Sequence, residues 1–225
     1  MCGRFTLTLT GDQLALAFPW LTVAADLAPR YNIAPSQMVP VVPNREELQL
    51  EQFRWGLIPF WAKDPGIGNR LINARAETLA EKPSFRAAYS RRRCLILADG
   101  FYEWQSRPGK KGKTPFYVRL ESQEPFAFAG LWDTWRSPDG SRIPSCTIIT
   151  TRPNELVAPI HNRMPVILQS DSYSQWLDPT ELPPSTLQPL LEPYPASGMT
   201  AFPVSTLVND PKNDYLQCTL PYSEP

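Results

Sequence analysis

Short apolar and β-branched runs recur along the chain between turn residues, and few stretches keep a helical period. Runs at 4–9, 38–42, 48–55, 93–98, 115–120, 126–132, 146–151 and 165–168 have the length and composition of strands. Helical spacing is weaker. It predicts a short helix over 12–18 with Asp12 near its start, and one over 77–89 interrupted early by Pro83. It also predicts one over 171–177 capped by Ser170, and one over 186–191. The 26 prolines are scattered throughout, which breaks long helices and favours short strands joined by turns. The pattern predicts a mainly antiparallel β, α+β fold with a few short peripheral helices. No repeat or low-complexity linker divides the chain, so residues 1–225 are expected to form one domain.

Composition changes this picture little. A hydrophobic fraction of 42% is ample for a core, and a net charge of +0 excludes the global basic signature of a DNA-coating protein. Charge distribution says more. Nine basic side chains fall within 86–119 (Arg86, Arg91, Arg92, Arg93, Arg107, Lys110, Lys111, Lys113 and Arg119), against two acidic ones, Asp99 and Glu103. Acidic residues dominate from 171 onward. That basic zone is either a local polyanion site or an ordinary solvated face.

Four widely spaced cysteines without a CxxC pair, and a single histidine, disfavour a zinc site, and no metal or cofactor is expected. Cys94 and Cys146 sit in apolar runs and read as buried core thiols. No signal peptide or membrane-spanning run is visible, so a reduced, cytoplasmic setting is expected, with a monomer as the default.

The candidate chemistry begins at the second residue. The chain opens Met1-Cys2-Gly3-Arg4-Phe5. A residue as small as Cys2 normally allows the initiator Met1 to be trimmed. The mature protein would then begin with an amine and a thiol on adjacent carbons. Ordinary values of about 7.7–8.0 for the amine and about 8.5 for the thiol keep both close to their nucleophilic forms at neutral pH. A 1,2-aminothiol captures aldehydes: the amine forms an imine, and the thiol closes a five-membered thiazolidine. The other reading is that Cys2 follows the start codon by accident.

Three segments repeat one spacing. Cys2 is followed two residues later by Arg4, Asn73 by Arg75, and His161 by Arg163. In extended backbone, residues i and i+2 share a face, so each hydrogen-bonding or reactive group gains an arginine beside it. Arginine grips phosphate through paired donors, which points to a phosphodiester-linked substrate. Surface arginines ending strands would give the same spacing. Glu103 lies between Tyr102 and Trp104 in an apolar stretch, a setting that raises a carboxyl pKa toward neutrality; a salt bridge to a nearby arginine is its other role. His161 is either structural or a site residue in a loop between Pro159 and Pro165.

The segments Met1-Cys2-Gly3-Arg4-Phe5, Arg30-Tyr31-Asn32-Ile33-Ala34-Pro35, Arg54-Trp55-Gly56-Leu57-Ile58-Pro59, Ile72-Asn73-Ala74-Arg75-Ala76-Glu77, Asp99-Gly100-Phe101-Tyr102-Glu103-Trp104 and Ile160-His161-Asn162-Arg163-Met164-Pro165 occur in that order. Together, ending near Pro203-Val204-Ser205 and Val208-Asn209, they resemble the SRAP family of abasic-site processing proteins, also labelled SOS response-associated peptidases. The resemblance spans nearly the whole chain and leaves no catalytic position empty. It implies a barrel-like sheet core of the SRAP type. It also implies recognition of abasic sites in single-stranded DNA, junctions with duplex included, and covalent attachment through Cys2. By the same resemblance, His161 assists sugar ring opening and Glu103 acts as general acid and base. Asn73 holds Cys2 and the opened sugar, and Arg4, Arg75 and Arg163 grip flanking phosphates. Thr150 lies near the lesion, while Trp61, Trp104 and Pro35 stack on or wedge against neighbouring bases or serve as core and turn residues.

Three rivals stay open. An N-terminal-nucleophile amidohydrolase also starts Met-Cys-Gly, but this chain has no Asn-Gly-Asp motif. A Cys–His thiol peptidase would turn over peptides without DNA. A plain single-strand binder would bind unchanged with its N-terminus blocked and would give no covalent product.

Overall fold

The computed structural model describes residues 2–23, 27–107, 109 and 112–223; Met1, Lys110 and Lys111 lie outside the described residues. In chain order the strands are β1 (Arg4–Leu7), β2 (Arg30–Ile33), β3 (Met38–Pro43), β4 (Glu51–Trp55), β5 (Asn73–Arg75) and β6 (Arg93–Ala98). They continue with β7 (Gly100–Ser106), β8 (Lys113–Leu120), β9 (Phe126–Arg136), β10 (Arg142–Thr151), β11 (Met164–Pro165) and β12 (Met199–Pro203). The helices are short: α1 (Gly11–Ala17), α2 (Arg86–Arg91), α3 (Tyr173–Trp176) and α4 (Pro184–Leu187).

Five strands close on themselves. β10 pairs with β4, β4 with β3, β3 with β6, β6 with β9, and β9 returns to β10. All these pairings are antiparallel except β10–β4. This small barrel bears out the expected mainly antiparallel α+β fold. Its packing is tight: a Cβ added at Gly130 would lie 2.9 Å from Cys94 Sγ, its neighbour across the β6–β9 ladder. Cys94 and Cys146 are buried and free, as expected of core thiols.

A second, antiparallel sheet has the order β12-β8-β7-β1-β2. Its inner face packs on the barrel through edge-to-face aromatic contacts, Phe5 against Trp55 and Phe128, and Phe101 against Phe128. Its outer face carries a smaller cluster of Tyr102, Tyr117, Val204, Val208 and Cys218, which the C-terminal segment covers.

The long strand β10 changes partners along one edge. Cys146 faces Trp55 at the end of β4, and Ile148 to Thr150 then face Asn73 to Arg75 of β5 in parallel. Gly56 makes the exchange feasible. Its φ of +125° is closed to residues with a side chain, and a Cβ there would sit 2.6 Å from the Gly68 carbonyl oxygen. The chain therefore leaves the barrel at Gly56 and re-enters at Asn73, with Trp55 Nε1 donating to the Ile72 carbonyl at 2.9 Å.

Several local expectations are corrected. The helix expected over 77–89 is only a 3-10 turn at Ala76–Thr78 followed by α2, because Pro83 removes a donor and restricts Lys82 before it. The first helix begins at Gly11, with Asp12 in its first turn as expected, and Thr10 caps it through a capping box with Gln13. Ser170 caps nothing; it opens a 3-10 turn that runs into α3. The strands β2, β5, β7 and β12 were not among the apolar runs. No described helix is long and apolar enough to cross a membrane.

The basic run at 91–93 also resolves differently from a polyanion site. Arg91 pairs with Glu181, and Arg92 lies 3.3 Å from Asp133. Arg93 is fully buried and donates to the carbonyls of Trp176, Tyr89, Ser90, Asp178 and Thr180. It thereby serves carbonyls at the ends of α2 and α3 and in the segment after α3, Ser90 also accepting from the Leu182 backbone N–H. Replacing Arg93 by Met would remove its donors from all five carbonyls, leaving Ser90 only the Leu182 N–H and Asp178 only the Asn44 amide. Urea unfolding of Arg93→Met is expected to show a loss of about 3 kcal/mol or more, and a loss below about 1 kcal/mol would contradict this role.

Candidate functional site

Cys2 precedes β1, at the seam between the second sheet and the barrel. Arg4 faces Tyr102 across the β1–β7 ladder, so Cys2 enters the sheet level with Glu103 and Trp104. From the barrel side, Asn73 of β5 donates its Nδ2 hydrogen to the Cys2 carbonyl at 2.8 Å. Asn73 Oδ1 is buried and has no hydrogen-bond partner among the described residues, an acceptor on the amide that holds Cys2. The Cys2 thiol is fully buried, with Sγ 3.9 Å from the Arg4 carbonyl oxygen. Burial pushes its pKa far above the ordinary thiol range, and the nearby Glu103 charge adds to the rise, so the group rests as a thiol.

Glu103 follows Phe101 by two residues on β7 and projects to the same inner face, where Phe101 meets the barrel. It is 2% exposed. Desolvation lifts its pKa from the ordinary 4.5 to about 7. The sequence expectation of a raised carboxyl holds, and the cause is burial between the sheets. Tyr102 and Trp104 point the other way. Tyr102 packs in the outer cluster, and Trp104 donates Nε1–H to Asn209 Oδ1 at 2.7 Å.

His161 comes from the connection between β10 and β11. Its Nδ1 lies 4.0 Å from Glu103 Oε1. The same nitrogen accepts from the Arg163 backbone N–H at 3.1 Å and sits 3.2 Å from the Arg163 carbonyl oxygen. Burial lowers its pKa, favouring the neutral ring. A neutral ring accepting at Nδ1 carries its proton on Nε2. The extended backbone expected at all three paired positions holds for Asn73–Arg75, which is a strand. It does not hold for 161–163, which is a bend stitched by the imidazole itself.

The arginines have different surroundings. Arg75 is exposed at the end of β5. Arg4 donates to Asn32 Oδ1 at 2.8 Å, the Val208 carbonyl at 2.7 Å and the Asn209 carbonyl at 3.1 Å, fastening β1 to the C-terminal segment. Arg163 pairs with Glu77 and reaches the Thr150 carbonyl. Thr150 is buried on β10, facing Arg75 in register. Trp61 is 48% exposed, and Pro35 is half-buried beside Ser36, whose φ is +72°. No described contact joins either of them to Cys2. Among the described residues no three His, Cys, Asp or Glu side chains converge to hold a metal ion.

The sequence reading passed over two residues. Asn32, buried in β2, donates Nδ2 to the carbonyls of Val208, Asp210 and Asn213. Its signal was available: an amide between Tyr31 and Ile33 in a strand demands partners. Glu77, the partner of Arg163, gave no local signal because the pair is 86 residues apart in sequence.

A family model described as SOS response associated peptidase (SRAP) matches residues 1–211. The chain is 49% identical over 217 residues to the abasic site processing protein YoqW of Bacillus subtilis (strain 168), covering 95% of this chain and 96% of that one. It is 35% identical to the abasic site processing protein HMCES of Gallus gallus, covering 98% of this chain and 78% of the relative. A crystal structure of a protein from Bacteroides thetaiotaomicron superposes with a TM-score of 0.85 at 27% identity, covering 94% of this chain and 98% of that one.

The Glu103 pKa has a thermodynamic consequence. A carboxyl raised in the folded state binds its proton more tightly there than when unfolded. Stability from this group is therefore complete below pH 4.5 and is lost as pH rises through about 7. The loss amounts to about 3 kcal/mol at 1.36 kcal/mol per pKa unit. Glu103→Gln is expected to remove this slope, so that its stability relative to wild type rises between those pH values. Parallel stability curves for the two proteins would contradict the assignment.

Proposed function

The chain belongs to the SRAP family, and on that footing we propose that it processes abasic sites in single-stranded DNA by covalent capture. The observation that carries this reading is the convergence of Cys2, Asn73, Glu103 and His161 where the two sheets meet. After Met1 is removed, the Cys2 amine attacks C1′ of the ring-opened deoxyribose. His161, with Nε2–H available, donates to the sugar ring oxygen during opening. The amine adds to the aldehyde to give a carbinolamine. Protonated Glu103 gives its proton to the departing hydroxyl, so one water leaves and an iminium that keeps its N–H forms. Glu103, now a carboxylate, takes the thiol proton as Sγ adds to the imine carbon. The C=N electron pair returns to nitrogen as sulfur adds, a neutral thiazolidine closes, and Glu103 is left protonated as it began. The balance is aldehyde plus aminothiol giving thiazolidine plus one water.

The electrostatics suit this order. Glu103 near pH 7 is poised to give a proton and then take one back. The raised thiol pKa means that Sγ is deprotonated only as it reacts, which gives the carboxylate a task. The open Asn73 Oδ1 is placed to accept from the liberated amine or from a sugar hydroxyl. Exposed Arg75 is the readiest phosphate ligand, with Arg4 and Arg163 adding positive charge along the strand. Trp61, Trp104, Pro35 and Thr150 are assigned to the bases and sugar around the gap. No cofactor is required, and a monomer suffices.

An imine at C1′ acidifies C2′ and permits β-elimination, which nicks DNA. Thiazolidine closure removes the imine and shields the strand. A Cys–His peptidase is less well supported, because the described contact of Sγ is the Arg4 carbonyl, while His161 Nδ1 is engaged by Arg163.

Incubation with single-stranded DNA carrying one abasic site is expected to give a denaturation-resistant product, with intact mass showing Met1 absent. Cys2→Ser should lose that stable product while retaining borohydride-trappable imine and strand cleavage. A Cys2→Ser protein that forms the same heat-stable adduct, or trimmed wild type that forms none, would overturn the mechanism.

A further inference from the structure

Arg163 is held more firmly than an arginine waiting only for phosphate requires. Nη1 meets Glu77 Oε1 at 2.6 Å and Nη2 meets Oε2 at 2.9 Å, while Nη2 also donates to the Thr150 carbonyl at 2.5 Å. Such a fork-to-fork pair fixes the guanidinium plane as well as its position. The Arg163 side chain is 16% exposed and that of Glu77 is 50% exposed, so the pair closes over Arg163 from the solvent side. On its other side Arg163 leads directly into β11, where Met164 pairs with Thr151. Its backbone is therefore pinned at both ends, and that backbone meets His161.

The imidazole has two arrangements open to it. Unprotonated, Nδ1 accepts from the Arg163 N–H; protonated, it donates to the Arg163 carbonyl oxygen, with Glu103 behind it at 4.0 Å. The charged groups acting on it are Glu103 from β7, the N-terminal ammonium and, more weakly, Lys113 from β8. Whether Nδ1 accepts or donates depends on how closely the Arg163 N–H is presented. Glu77 sits just beyond β5 in the Ala76–Thr78 turn, so it ties this presentation to the strand that carries Asn73.

We propose that Glu77 is a positioning residue for the reaction: its carboxylate holds Arg163, and Arg163 holds the His161 ring with Nδ1 accepting and Nε2–H turned toward the sugar. The proposal rests on the reading of His161 as donor to the ring oxygen. It makes Glu77, through Arg163, a determinant of the ring's tautomer.

His161 is the chain's one histidine, so a long-range proton–nitrogen spectrum of the 15N-labelled protein reads its tautomer without ambiguity. Wild type is expected to show the Nε2–H form. Glu77→Ala should show mixed tautomers and slow abasic-site capture by about tenfold, part of what a positioned proton donor supplies. Glu77→Gln keeps one oxygen toward Arg163 and should recover part of both. A Glu77→Ala protein with the wild-type tautomer and rate would overturn the proposal. Faster capture would overturn it too, showing that Glu77 only competes with phosphate for Arg163. The tautomer is read in the free protein, so failure of wild type to capture abasic DNA would count against the functional reading alone.

Discussion

Strand β10 is longer than any one partner on its parallel edge, and the site depends on how that shortfall is filled. β4 stops at Trp55, and Gly56 turns the chain out through a conformation that a side chain would forbid. β5 then takes the vacant half of the edge. This exchange sets Asn73 at the seam between the two sheets, where its amide reaches the Cys2 carbonyl. Opposite β5, β11 occupies the end of the same strand and brings the 161–163 bend above the seam. One exchange of strand partners thus assembles residues drawn from positions 2, 73, 103 and 161.

The assembled groups share an electrostatic character. Desolvation raises Cys2 and Glu103 and lowers His161, so each is driven toward its uncharged form. Burying three neutral groups costs far less than burying ions. The arrangement suits attack by an uncharged amine on a carbonyl, with protons passed between groups that need little driving force. It suits thiolate attack poorly, because nothing lowers the thiol pKa enough to populate the anion at rest. The charged residues of the motif lie farther out. Arg163 is neutralised by Glu77, Arg4 is absorbed by carbonyls of the C-terminal segment, and Arg75 remains exposed.

Much of the barrel was legible because its strands are continuous apolar runs. β6 and β9 read as strands for that reason, and their burial on both faces follows from closure. β2 and β5 were not legible as strands, because each is short and carries polar residues whose partners lie far along the chain. Pairing residues two apart correctly anticipated Asn73 and Arg75 on one extended segment. The same argument misjudged the backbone at His161, where a side-chain hydrogen bond to residue 163 makes a bend. Arg93 shows the limit of charge counting: nothing local distinguishes a buried arginine capping two helices from its solvated neighbours.

The liberated N-terminus is the centre of the account, and placing one extra residue ahead of Cys2 tests it most directly. The thiol, Glu103, Asn73 and His161 all remain, but the amine moves away from the thiol-bearing carbon. After incubation with single-stranded DNA containing one abasic site, this protein should give no borohydride-resistant, heat-stable crosslink. An undiminished stable crosslink would contradict the aminothiol mechanism and point to the thiol alone.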